Sequence, residues 1–182
     1  AEALMEGAML ANYRFNAYKR DQKTALLKTI RIQAAPEFEA RARRLAERTA
    51  DICKGTHLAR DWVSMPPNEK RPHRLARSIV KAAEKEPVEA VVLDMAHLKK
   101  NRMQALLAVG SGSSSRPCMV ILDYKPKTFN KTVALVGKGV TFDTGGINLK
   151  SSAGLEEMKQ DMAGAAAVAA TLITAARIGA HV

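Results

Sequence analysis

The residues with the clearest chemical potential lie between positions 133 and 164. There the run Val133-Ala-Leu-Val-Gly-Lys138-Gly-Val-Thr-Phe-Asp143-Thr-Gly-Gly-Ile-Asn-Leu-Lys150 is followed by Met158-Lys-Gln-Asp161-Met-Ala-Gly164. A buried strand running into a glycine loop puts Lys138 and Asp143 at the strand's carboxyl end, where open α/β sheets build their sites. Lys150 and Asp161 follow at short intervals. Asp161 is expected within an apolar helix, flanked by Met158, Met162 and Ala165. A carboxylate on that face is costly unless a cation or hydrogen-bond donors meet it. The competing reading is an Asp in the first turn of a helix, held in a structural ion pair.

Other motifs carry less. Gly137-Lys138-Gly139 has no Ser or Thr after its lysine and no glycine five residues before Gly137, so it is not a nucleotide phosphate loop. Gly110-Ser-Gly112-Ser-Ser-Ser115 lacks the third glycine of a dinucleotide fingerprint, and the strand expected after it leaves no helix N-terminus for a pyrophosphate. His57, His73, His97 and His181 stand apart with no H-x-x-x-H spacing, which reads as surface or structural. Trp62 reads as a core anchor near a helix end. Cys53 and Cys118 lie far apart in apolar settings and read as free thiols in a reducing compartment.

These groups must be held by a layered scaffold. Helical spacing of Leu4, Ala8, Ala11, Phe15 and Tyr18 predicts an amphipathic helix over 2–20, and alternation around Ile30 and Ile32 predicts a strand over 26–33. A long helix from Pro36 to about Val63 must stop at Met65-Pro66-Pro67-Asn68. A helix from Pro72 to about Glu86, a strand over Val88 to Leu93 and a short helix from Ala96 to Met103 come next. The apolar runs Ala105–Val109, Cys118–Leu122 and Thr132–Val136 read as strands buried on both faces, and Leu155 to about Arg177 reads as one Ala-rich helix. This alternation predicts an α/β fold with a mixed, mainly parallel sheet flanked by helices.

Composition supports a folded chain. Of 182 residues 47% are hydrophobic and 26% charged, which excludes collagenous or low-complexity chains. No run approaches the roughly 20 apolar residues of a bilayer span, so no membrane partner is expected. The net charge of +11 is spread along the chain. Arg41, Arg43, Arg44 and Arg48 share a helix with Glu37, Glu39, Glu47 and Asp51, as a solvated face would. With eight aromatics, none interleaved with basic residues, nucleic acid is the less favoured partner.

The spaced residues carry a resemblance. Lys138-Gly-Val140, Asp143-Thr-Gly-Gly146, Lys150 and Met158-Lys-Gln-Asp161-Met162 resemble the signature of the leucyl aminopeptidase family, the cytosol aminopeptidases. Upstream, Ala59-Arg-Asp-Trp-Val-Ser-Met-Pro-Pro-Asn68 resembles the family's loop before the catalytic domain, and Leu106-Leu-Ala-Val-Gly110-Ser-Gly112 its next strand. Glu6-Gly-Ala-Met-Leu-Ala-Asn-Tyr13-Arg-Phe15 resembles the helix joining the family's two domains.

The resemblance implies a cytoplasmic aminopeptidase acting on peptides, usually a homohexamer, with two divalent metal ions, Zn2+ or Mn2+. Lys138, Asp143 and Asp161 would be metal ligands, Lys150 the catalytic and substrate-binding lysine, and Met158 a lining residue of the pocket for the substrate's first side chain. These roles are chemically sensible. A lysine ligates only as the neutral amine, which burial and a nearby cation both favour. A short anionic Asp suits bridging two ions about 3.5–4 Å apart, and such a pair activates water near neutral pH and polarises a carbonyl. A charged Lys150 would stabilise the developing oxyanion.

On this pattern residues 1–35 are the interdomain helix and first strand, and 36–182 the N-terminal part of the catalytic domain. The family's N-terminal domain and its downstream Asn-Thr-Asp-Ala-Glu-Gly-Arg segment, source of another Asp, a Glu and an Arg, are absent, and both chain ends are expected to be cuts. Gln104, Ser151 and Ala163 depart from the family's usual residues without removing a ligand. Glu157, one helical turn before Asp161, is the nearest substitute acid, unused by the family pattern. The alternative function is a non-catalytic basic binding or assembly protein on the same fold, touching DNA through its charge as some bacterial members do.

Overall fold

The computed structural model describes residues 2–20, 26–128 and 130–181. Its helices are α1 (Glu2–Ala11), α2 (Glu39–Ser64), α3 (Pro72–Ala83), α4 (Met95–Lys100), α5 (Gln104–Gly110), α6 (Ser152–Leu155) and α7 (Ala163–Arg177). The strands are β1 (Val88–Leu93) and β2 (Met119–Tyr124), and 3-10 turns span Pro36–Phe38 and Glu156–Gln160. The α/β class holds, with helices flanking a small sheet. The described sheet, however, is a single antiparallel pair, with Val88 opposite Tyr124 and Leu93 opposite Met119, rather than a mainly parallel one.

The core forms where three helices meet one face of that pair. Trp62 of α2, Leu75, Ile79 and Ala83 of α3, and Ala166, Ala169, Ala170 and Ile173 of α7 bury together with Met162. Val88, Ala90, Val120 and Leu122 cover them from the sheet. The other face carries the cross-strand pair Val91 and Ile121, both exposed. The Trp62 indole donates to Ser78 Oγ at 2.9 Å, so the buried ring has its polar partner and serves as the expected anchor. The alanines of α7 let it approach α2 closely. A Cβ on Gly55 would overlap Thr174 Oγ1.

Several elements differ from the sequence expectation, each for a local reason. Helix α1 stops at Ala11 rather than running to residue 20. Asn12 leaves the helix to hold Leu27: its Nδ2 donates to Leu27 O at 3.0 Å and its Oδ1 accepts from Leu27 N at 2.8 Å. This is the competition that Asn side chains offer to backbone pairing. The same bonds occupy the 26–33 segment, which forms no ladder. Ala105–Val109 is helical, within α5, because Ala and Leu are strong helix formers and no strand claims them. Thr132–Val136 is extended but unpaired among the described residues, with Val136 92% exposed. The expected helix from Leu155 to Arg177 is broken in two at Asp161–Met162.

Cys53 is buried and Cys118 half-buried, and both are free thiols whose pKa burial raises. Among the described residues no helix is long and apolar enough to cross a membrane.

Candidate metal centre

The break before α7 is what builds the site. Asp161 sits in the turn between the Glu156–Gln160 3-10 turn and α7, its N–H donating to Met158 O at 3.3 Å. This corrects the expectation that Asp161 lies within a helix. The extended segment carrying Lys138 docks against the start of α7, where Ala165 N donates to Lys138 O at 2.8 Å. The approach requires glycine at 137, where a Cβ would overlap the Gly164 carbonyl, and is tight at 164, where a Cβ would lie 3.0 Å from Lys138 N.

Docked in this way, Lys138 Nζ lies 2.9 Å from Asp161 Oδ2. The lysine side chain is 60% exposed and the aspartate 19%. Oδ2 itself is buried, and the ammonium is close enough for an ion pair without being aligned for a hydrogen bond. Asp161 therefore meets the cation that its apolar surroundings demand.

Asp143 is fixed by its own loop. Its Oδ1 accepts from Gly145 N at 2.8 Å, and Lys150 N donates to Thr144 O at 3.0 Å, closing the loop on itself. Gly145 has φ +90°, and a Cβ there would also overlap Asn148 O, so only glycine fits. Lys150 Nζ then stands 3.4 Å from Asp143 Oδ2. The Gly145 N–H, then Lys150, then the Lys138 charge hold the Asp143 carboxyl below its ordinary range. Met158 is half-buried in the 3-10 turn, one turn before Asp161. Glu157 is exposed and accepts only a long bond, from Gln160 Nε2 at 3.5 Å.

The donor chemistry suits part of a divalent-metal site. The buried Oδ2 of Asp161 has no aligned hydrogen bond to satisfy it, and carboxylate oxygens with an amine nitrogen are competent ligands for Zn2+ or Mn2+. Among the described residues no three His, Cys, Asp or Glu converge. The chain thus offers two acids and a lysine.

The catalytic-domain profile of the cytosol aminopeptidase family matches residues 57–182. The chain belongs to this family. A probable cytosol aminopeptidase of Geobacter sp. is 41% identical over 179 residues, 96% of this chain and 36% of that protein. Among solved structures, the bottromycin maturation enzyme BotP in complex with Mn is 37% identical with a TM-score of 0.81, covering 98% of this chain and 36% of that one. The cytosol aminopeptidase of Coxiella burnetii is 26% identical with a TM-score of 0.74, covering 96% and 35%. The chain spans about a third of the length of these relatives.

Sequence reasoning brought forward Lys138, Asp143, Lys150 and Asp161, and the structure places them in two ion pairs, Lys138 with Asp161 and Lys150 with Asp143. It missed Gly137 and Gly164 as a matched contact, although the crowding of glycines after residue 106 was the available signal.

Proposed function

We propose that this chain carries the metal-binding part of an aminopeptidase that removes N-terminal residues from peptides. Lys138, Asp143 and Asp161 are its ligands and Lys150 its charge-stabilising lysine. The observation that carries this reading is the pair of contacts Lys138–Asp161 and Lys150–Asp143, each beside a glycine that holds its segment close to a neighbour. Membership of the cytosol aminopeptidase family supports the same reading, as does the Mn complex of BotP.

When bound, a pair of divalent ions, Zn2+ or Mn2+, supplies Lewis acidity and water activation. The chain's own residues do the rest. Asp143 and Asp161 present anionic oxygens. Lys138, paired with Asp161 in this structure, would hold a metal ion through its amine nitrogen. Lys150 offers its side chain to the oxyanion that develops on the scissile carbonyl. Met158 lines the pocket for the first side chain. Residues 1–35 join this domain to a preceding one, the intact enzyme is a cytoplasmic homohexamer, and residues 1–182 alone hold at most one ion tightly and turn over no peptide.

The test is hydrolysis of an aminoacyl-anilide by the intact protein. Activity should vanish on chelation and return with Mn2+ or Zn2+. Activity indifferent to chelation would defeat the proposal. No observation favours the DNA-binding alternative over this one.

A further inference from the structure

We infer that Lys70 is a positioning residue for Asp161, tethering the turn that carries that carboxylate to the end of α2. The inference rests on the proposed reading of Asp161 as a ligand. The sequence creates the need for the tether. The last carbonyls of a helix are satisfied by N–H groups four residues on, but those partners for Trp62 and Val63 are Pro66 and Pro67, which have no N–H. Lys70 fills both vacant positions: its Nζ donates to Val63 O at 2.7 Å and to Trp62 O at 3.0 Å.

The third direction of the same ammonium points to Met162 Sδ, at 3.5 Å. Met162 is fully buried and follows Asp161 directly, at the cap of α7. One side chain, itself 0% exposed, therefore joins the end of α2 to the residue next to the candidate ligand. No carboxylate among the described residues pairs with Lys70. An unpaired buried cation is expensive, and burial together with Lys159 pushes its pKa down to about 8. A simple core position would be filled at less cost by Leu or Met. A position that must close two carbonyls and hold a turn requires a flexible stem with several donors.

The experiment uses the intact protein without metal, then titrates it with Mn2+. Lys70→Met keeps the volume and removes the donors. It should speed amide exchange at Ala165 and Ala166 by at least tenfold, leave Ile173 in mid-α7 unchanged, and weaken Mn2+ binding about tenfold. Unchanged exchange at Ala165 and Ala166, or equal acceleration at Ile173, would overturn the tether. If Mn2+ binds the wild type through Asp161, undiminished affinity in Lys70→Met would overturn the positioning role. Met162→Leu, which removes only the sulfur acceptor, should shift exchange the same way by a smaller factor, and no shift there would contradict the inference even if Lys70→Met failed to fold. Mn2+ binding that is absent, or intact in Asp161→Asn, would instead defeat the ligand reading, with the exchange result still deciding the tether.

Discussion

Gly137 approaches Gly164 so closely that a side chain at Gly137 would overlap the Gly164 carbonyl, while one at Gly164 would crowd Lys138 N at 3.0 Å. The contact sets the height of Lys138 over Asp161, because Ala165 N donates to Lys138 O one residue away. Gly137→Ala should force the two segments apart. Overpacking of this kind costs roughly 1–3 kcal/mol. Urea unfolding of the intact protein should show a loss of that order together with weaker metal binding. Unchanged stability would mean that the segments are free to separate.

Lys150 should differ in kind from the ligands. Lys150→Ala removes a charge that acts on the transition state, so kcat should fall by about a hundredfold or more while metal content stays near that of the wild type. Metal loss in this variant would make Lys150 a ligand or a holder of Asp143, which it approaches at 3.4 Å.

Tyr13 gives an alkaline signature. Its hydroxyl donates to Asp61 Oδ1 at 2.7 Å, and burial followed by that bond pushes its pKa up to about 12. A group whose pKa is raised on folding contributes stability that is complete below its unfolded value of about 10 and is lost as pH rises through the folded value. Docking of the α1 end onto α2 should weaken between about pH 10 and 12. Tyr13→Phe should abolish this slope at a cost of about 1 kcal/mol at neutral pH. A slope that survives the substitution would assign it elsewhere.

Lys70 titrates with the opposite sign. Its folded pKa of about 8 lies below the ordinary lysine value, so between about pH 8 and 10.5 the unfolded chain holds a proton that the folded chain lacks. Stability should therefore rise with pH across that window, where Tyr13 contributes no slope below pH 10. Chemical denaturation at pH 7, 8, 9 and 10 checks this. The rise should disappear in Lys70→Met, and a rise that persists there would belong to another group.

The site was legible to the extent that local sequence determines it. Asp143, its glycines and Lys150 form a loop closed by its own bonds, which is why their local spacing singled them out as candidates, while their roles came from the family resemblance. β1 and α3 matched their expected positions because period and proline signals act locally. What depends on distant partners was less legible. In the 26–33 segment both backbone groups of Leu27 bond to Asn12, a side chain more than a dozen residues away, and the helix that begins after the break at Asp161–Met162 receives Lys138 O at Ala165 N. The Ala105–Val109 run illustrates a different difficulty: a short apolar stretch does not distinguish strand from helix until its neighbours are known. Lys70 was invisible because its role arises from two prolines removing donors in one segment and a methionine arriving from another.

Under the proposed function Asp143, with Lys138 and Asp161, holds metal for catalysis. The decisive measurement is the metal content of purified intact Asp143→Asn against wild type at equal protein concentration. The variant should lose at least one ion per chain while remaining folded. An unchanged metal content would rule Asp143 out as a ligand.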